Sequence, residues 1–224
     1  MTKIIERLVE FEEIGDQLSF PPNYIFQSVS NMISFVIIQE EMEQLHEYCI
    51  LCQDATDKKL NSIQDDLSNY QTGKEVVEDP ELGDVTCYVL DGLTHVDLPR
   101  WSDTQEFLVK AMCLLLLSSL LERSLKSLSS DFSPNGTEIR LPKNSVSKIS
   151  AYVRYLQENC SLSFDEPEQT IAVRENCRRI RNDFAHGDWD AVRRHITGQS
   201  LCSAFDACST LFREVEAAYM ALDR

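Results

Sequence analysis

Residues 23–70 contain neither proline nor glycine. Sheets of short strands need a turn residue every few positions, so a stretch this long without a breaker favours helix. Ile25, Val29, Met32 and Val36, then Leu45, Cys49, Cys52, Leu60, Ile63 and Leu67, recur at steps close to three and four. The spacing predicts one long helix or two consecutive ones. The same scarcity holds along the chain, which has only 7 Gly and 7 Pro in 224 residues. Average usage would be roughly 7% and 5%. With 43% hydrophobic residues the chain has enough apolar material for a sizeable core. The expected fold class is all-α.

The rest of the chain reads in the same way. Residues 1–18 pattern as a short amphipathic helix through Ile5, Leu8, Val9 and Ile14, closed by Pro21-Pro22. Residues 71–84 are a polar break. Val85–Leu90 and Thr94–Leu98 read as short strands, a strand pair near 85–98, or as an ordered loop. A helix is expected from Ser102 or Asp103, either of which suits a cap, to about Ser129. Its middle, from Lys110 to Arg123, is apolar on nearly every side. That pattern belongs at the centre of a bundle or at a subunit interface. Residues 131–143 form a loop, and further helices are expected at about 145–159, 168–182 and 200–222. The division that follows is an acidic helical extension over 1–100 and a helical bundle over 101–224.

Charge sharpens this division. The formal net charge is −16, which argues against a general, salt-driven nucleic-acid binder. Residues 1–100 carry 6 basic and 20 acidic side chains, whereas residues 171–200 carry 6 and 4. The acid therefore lies in the first hundred residues, as a solvated face or as a surface for a basic partner. The start of the chain is amphipathic and acidic and shows no apolar leader. The longest uncharged apolar run, Ala111–Leu121, falls short of the roughly 20 residues a bilayer requires. A cytoplasmic protein without a membrane anchor is expected, with its eight cysteines reduced. Cys49 and Cys52 form a CxxC with His46 nearby, but no second ligand pair completes a zinc set. No metal and no cofactor are expected.

The one locally basic stretch holds a motif. Val173, Cys177, Ile180 and Phe184 make a stripe for burial. Arg174, Arg178 and Arg181 fall four and three apart on a neighbouring face, a row of guanidinium groups. Asn182 or Gly187 is placed to end the helix, and His186 lies about one turn beyond Arg181. An imidazole exchanges a proton near neutral pH, and a guanidinium holds a phosphate with two parallel hydrogen bonds. Together they suit phosphodiester chemistry, with Asn182 to orient the pair or contact a ribose.

Arg181-Asn182-Asp183-Phe184-Ala185-His186 resembles the Arg-Asn-x-x-x-His signature of the HEPN superfamily, and Gly187 extends it to the form found in several prokaryotic HEPN nucleases. The apolar helix ending in Glu122 resembles that of RiboL-PSP-type and related HEPN proteins. The resemblance covers residues 101–224, and residues 1–100 show no signature. It implies a HEPN-like helical bundle with metal-independent endoribonuclease activity in a bacterial defence or toxin–antitoxin system. The 2′-OH would attack the adjacent phosphate, leaving a 2′,3′-cyclic phosphate and a 5′-OH. On that resemblance His186 is the general acid/base, Arg181 binds the scissile phosphate, Asn182 supports them and Glu122 orients a motif residue. Arg174 and Arg178 are candidate RNA contacts. The implied partners are single-stranded RNA or tRNA, a second copy of the chain completing a composite site, and an antitoxin or regulatory protein. The alternative is a non-catalytic HEPN module holding RNA, nucleotide or a protein. Trp189 reads as a packing anchor, His46 and His95 as surface or core residues, and His195, after Arg193-Arg194, as an exposed helix-end residue.

Overall fold

In a computed structural model of the chain, which describes residues 23–133, 139 and 147–222, the long breaker-free stretch forms helix α1, Ile33–Gln71. Residues 23–32 precede it in non-helical backbone, the Met32 carbonyl accepting the first bond of the helix from Val36 N at 3.3 Å. A two-residue antiparallel hairpin follows, β1 (Glu78–Asp79) and β2 (Gly83–Asp84), with Glu78 opposite Asp84 and Asp79 opposite Gly83. The remaining elements are helices: α2 (Thr86–Asp131), α3 (Lys148–Asn159), α4 (Glu168–His186), α5 (Trp189–Thr197) and α6 (Leu201–Leu222). The fold is all-α. The helix expected over residues 1–18 and most of the loop expected over 131–143 lie outside the described residues.

The strand pair expected near 85–98 is not there; the hairpin lies just before it, and 86–131 is continuous helix. Val85-Thr-Cys-Tyr-Val-Leu is rich in strand formers, and Gly92 and Pro99 look like stops. The helix survives Pro99 by widening. Leu93–Asp97 is a π-helical turn in which the Leu98 N–H reaches back to the Leu93 carbonyl. Such a turn relaxes the carbonyl that the proline ring would strike and absorbs its missing donor. A second π turn spans Thr104–Val109. Neither Ser102 nor Asp103 caps a helix start, because the helix is already running.

The chain divides into two compact units, one made of residues up to Glu47 together with those from Ala111 onward, the other of Tyr48–Lys110. The division at residue 100 is therefore corrected: residues 23–47 belong with the C-terminal helices. An aromatic cluster explains why. Phe26 packs at a tilt against Phe212, 5.7 Å between ring centroids, and Phe35 meets Phe132 at 6.3 Å and Tyr219 at 6.1 Å. Phe26, Phe35 and Phe212 have essentially no exposed surface. Burying side chains of this size contributes about 1.5–3 kcal/mol each.

Polar contacts fix the same segment. The Glu216 carboxylate on α6, 1% exposed, accepts from Ser28 Oγ (2.6 Å), Val29 N (3.1 Å) and Ser30 N (2.9 Å). Ser209 donates to the Tyr24 carbonyl at 2.8 Å, and Tyr24 Oη bonds His46 Nε2 at 2.8 Å. His46 is thus a buried core histidine, also edge-on to Phe205.

In the second unit Leu60, Ile63 and Phe107 are buried, and Gln105 donates to Asp57. The apolar middle of α2 is not enclosed all round. Ala111, Cys113, Leu114, Leu117 and Leu121 are buried, but Met112 and Leu116 stay 46% and 38% exposed. The same helix, longer than the apolar run alone, has a window long and apolar enough to cross a membrane; 56% of that window is buried inside the protein.

Candidate functional site

Helix α4 begins after Pro167 and buries Val173, Cys177 and Ile180. Phe184, the expected fourth member of the stripe, is half-buried and meets Trp189 edge-on at 5.1 Å. Trp189 is therefore a packing partner of the motif. The helix runs through Asn182 and ends after His186. Gly187, at φ +73°, takes the left-handed conformation that suits glycine. The Asp188 N–H then bonds the Asp183 carbonyl (2.9 Å) and the Gly187 N–H the Phe184 carbonyl (3.1 Å), the paired bonds of a Schellman motif. Asp188 at once caps α5, its Oδ1 accepting from Ala191 N at 3.0 Å. Gly187-Asp188 thus stops one helix and starts the next.

The arginine row is geometrically present and electrostatically consumed. Arg174 is buried, 8% exposed, and its Nη1 lies 2.9–3.0 Å from both Glu166 carboxylate oxygens. A side chain enclosed in this way does not meet RNA, so the expected Arg174 contact is withdrawn. Burial pushes the Glu166 carboxyl above its usual range, against the pull of Arg174. Arg178 is half-buried and donates through Nε to Glu175 one turn back at 2.9 Å. Its expected RNA contact competes with that pair.

Arg181 and Glu122, which resemblance placed in one site, do meet. Arg181 Nη1 donates to Glu122 Oε2 at 2.8 Å, and Lys148 Nζ lies 3.4 Å from Glu122 Oε1. One carboxylate thereby joins α2, α3 and α4. Desolvation raises its pKa, but the bonds from Arg181 and Lys148 outweigh that and hold it below the usual glutamate value. Tyr152, beside it, is pushed up by burial and by the Glu122 charge. Arg181 keeps 41% of its side chain exposed.

His186 does not join this cluster. Five residues along a continuous helix separate it from Arg181 by about 7.5 Å of rise and about 140° of rotation. The expectation that the two share a site within one chain assumed a helix ending earlier; the unbroken helix turns them onto different faces. Asn182 and His186, four apart, do share a face. Both are exposed, and among the described residues neither takes a hydrogen bond or ion pair.

Sequence reasoning missed His195. It sits half-buried on α5, with Nε2 3.3 Å from Asp183 Oδ2. Asn176 donates to the His195 carbonyl at 3.1 Å and to Gln199 Oε1 at 3.2 Å. The available signal was an amphipathic run, Ala191, Val192 and Ile196, behind a capping aspartate; it would have laid a helix back along α4. Among the described residues no group of three or more His, Cys, Asp or Glu is placed to hold a metal ion. Cys49 is buried and Cys52 half-buried, and neither is in a disulfide among the described residues. Comparison of the chain with family models, with curated proteins and with solved structures finds no match.

Proposed function

We propose that the protein is a metal-independent endoribonuclease of HEPN type. The observation that carries the reading is the state of the motif residues. Arg181 is half-exposed and steadied by Glu122, while Asn182 and His186 stand together on the exposed face, their side chains without partners among the described residues. In this reading Arg181 binds the scissile phosphate and stabilises its developing charge, and His186 exchanges protons with the reacting oxygens. Asn182 contacts the ribose. Because Arg181 and His186 diverge within one chain, the site is completed by a second copy, so that the arginine of one subunit faces the histidine of the other. The substrate is single-stranded RNA or tRNA, and no cofactor is used. The setting is the cytoplasm of a bacterial defence or toxin–antitoxin system, with an antitoxin or regulatory protein as partner.

Purified protein is expected to cut RNA in EDTA, leaving 2′,3′-cyclic phosphate and 5′-OH ends. His186→Ala is expected to lower the rate by about 10²–10⁴. Cutting by that variant at the wild-type rate would refute the assigned mechanism, and a monomer at micromolar concentration by light scattering would refute the shared site. A second reading, a non-catalytic module, is favoured by one observation: Arg181 already has a carboxylate partner, and Gly187-Asp188 already serve as helix stop and cap. It is supported instead if the wild type binds RNA or nucleotide and leaves RNA intact.

A further inference from the structure

Cleavage by a ribose 2′-OH needs two proton transfers, one off the attacking oxygen and one onto the departing 5′-oxygen. The motif supplies a single imidazole for both. A second imidazole stands beside it. Asp183 and His186 are three residues apart on α4, and Arg179 is four before Asp183, so these side chains lie along one edge of the helix. That is the edge against which His195 packs, through its 3.3 Å contact with Asp183. Asn176, bonded to the His195 carbonyl and to Gln199, holds α5 in that register.

The edge is open to a ligand. Arg179 and His186 are exposed, and among the described residues neither has a hydrogen-bond or ion-pair partner. The His195 side chain is 30% exposed, and its Nδ1 has no partner among the described residues. One edge therefore offers two imidazoles and an unpaired guanidinium around a single carboxylate. Arg181, paired with Glu122 of α2, lies on the opposite side of α4.

We propose that His195, positioned by Asp183, is a second catalytic histidine, acting as the general base while His186 acts as the general acid. The inference rests on the ribonuclease reading above and deepens it. The Asp183 carboxylate, 3.3 Å from Nε2, favours the tautomer that carries its proton there, which leaves the Nδ1 lone pair to accept a proton. Asp183 also compensates the charge that forms on protonation. Nδ1 takes the proton of the 2′-OH. The O2′–P bond forms, the P–O5′ bond breaks, and His186 passes its proton to O5′. The products are the cyclic phosphate and a free 5′-OH, and exchange with water returns both imidazoles to their starting states. Arg179 supplies a cation for the strand on the same edge. The substrate class is a flexible single strand with a free 2′-OH.

The test uses the full chain. Cleavage of tRNA in EDTA is mapped first. Wild type, His195→Gln, Asp183→Asn and His186→Ala are then compared on an oligoribonucleotide carrying the mapped site, and on the same oligonucleotide with sulfur replacing the bridging O5′. Sulfur leaves as a thiolate and needs no protonation. His195→Gln keeps an N–H for Asp183 but accepts no proton, so kcat is expected to fall by about 10²–10⁴ on both substrates with KM little changed. His186→Ala is expected to lose the oxygen substrate and regain the sulfur one. Asp183→Asn is expected to lower kcat by a smaller factor and to shift the pH–rate profile, at an unchanged melting temperature. If the wild type cuts and His195→Gln cuts within about threefold of it, this inference is overturned and the ribonuclease reading stands. Rescue of His195→Gln by sulfur also overturns it, since a general base is still needed there. A wild type that cuts no RNA overturns both.

Discussion

Replacing Glu216 by alanine takes the acceptor away from three donors at once: Ser28 O–H, Val29 N–H and Ser30 N–H. Hydrogen bonds to a charged acceptor are worth about 1.5–3 kcal/mol each when one partner is deleted from a buried site. Full burial of all three would therefore imply a loss approaching 9 kcal/mol. Glu216 itself is 1% exposed, but Val29 is 74% exposed, so water reaches the freed amides. About 1 kcal/mol per lost bond is then the better figure, or roughly 3–4 kcal/mol in all. For a chain of this size that lowers the melting temperature by about 6–16 °C. Glu216→Gln keeps one acceptor and turns a donor toward Ser28–Ser30, the strap that lies across α6, and is expected to lose about half as much. Urea unfolding followed by circular dichroism measures the loss, at fixed protein concentration so that self-association does not enter. Hydrogen exchange at the Val29 and Ser30 amides locates it. An alanine variant within about 1 kcal/mol of wild type, with both amides still protected, would refute the clamp.

Glu122 gives a pH-dependent companion. Its folded-state carboxyl titrates below the unfolded one, so the stabilisation is present above the usual glutamate value and is lost as pH falls through the folded one. Glu122→Gln is expected to cost about 0.5–1 kcal/mol at pH 7, the discount reflecting a partly exposed pair, with the gap closing in denaturation curves as pH falls below the usual glutamate range. The buried pair behaves otherwise: Glu166→Ala strands the enclosed Arg174 charge and is expected to cost about 3–5 kcal/mol, whereas Arg174→Met with Glu166→Leu is expected to recover most of it in the same assay. Gly187→Ala meets no atom of the described residues within 4 Å, so its cost is conformational, about 1–2 kcal/mol in urea unfolding. Cys177, pushed up to about 12 by burial, is expected to resist thiol reagents at pH 8 while exposed Cys87 reacts at once, as read by peptide mapping.

Periodicity alone located the ends of several helices. α6 starts within a residue of its expected position and α4 starts at Glu168, because apolar spacing and Pro167 act locally. The failures share a cause: the deciding interaction lay elsewhere in the chain or in an unusual backbone. The segment 86–98 has strand-forming residues, and only a π turn ahead of Pro99 lets it stay helical. The boundary near residue 100 followed charge, while the packing follows Phe26 and Phe35, whose partners lie on α6. At the site, helical spacing put the three arginines correctly along one side. It said nothing of Glu166 and Glu122, which neutralise two of them from neighbouring segments, although the Glu175–Arg178 pair was readable at three residues' spacing. His195 stays hidden in the sequence because its helix follows a sharp corner at Gly187-Asp188 and its partner Asp183 lies on the helix before it, a pairing that periodicity within one segment does not reveal.

The strap that Glu216 holds spans nearly the whole chain in sequence, its contacts separated by 186–188 residues. During synthesis the first described segment therefore emerges long before the helix that receives it. Contacts so distant carry a loop-closure cost before they return any stability, and they slow folding. Phe26 and Phe35 must wait, uncovered by Phe212 and Tyr219, until α6 has been made. A nascent or truncated chain lacking α6 presents that aromatic surface to its surroundings, which makes it a natural substrate for chaperones and a candidate for aggregation. Closure of the strap on α6 is then a late event, one that marks the first unit as finished.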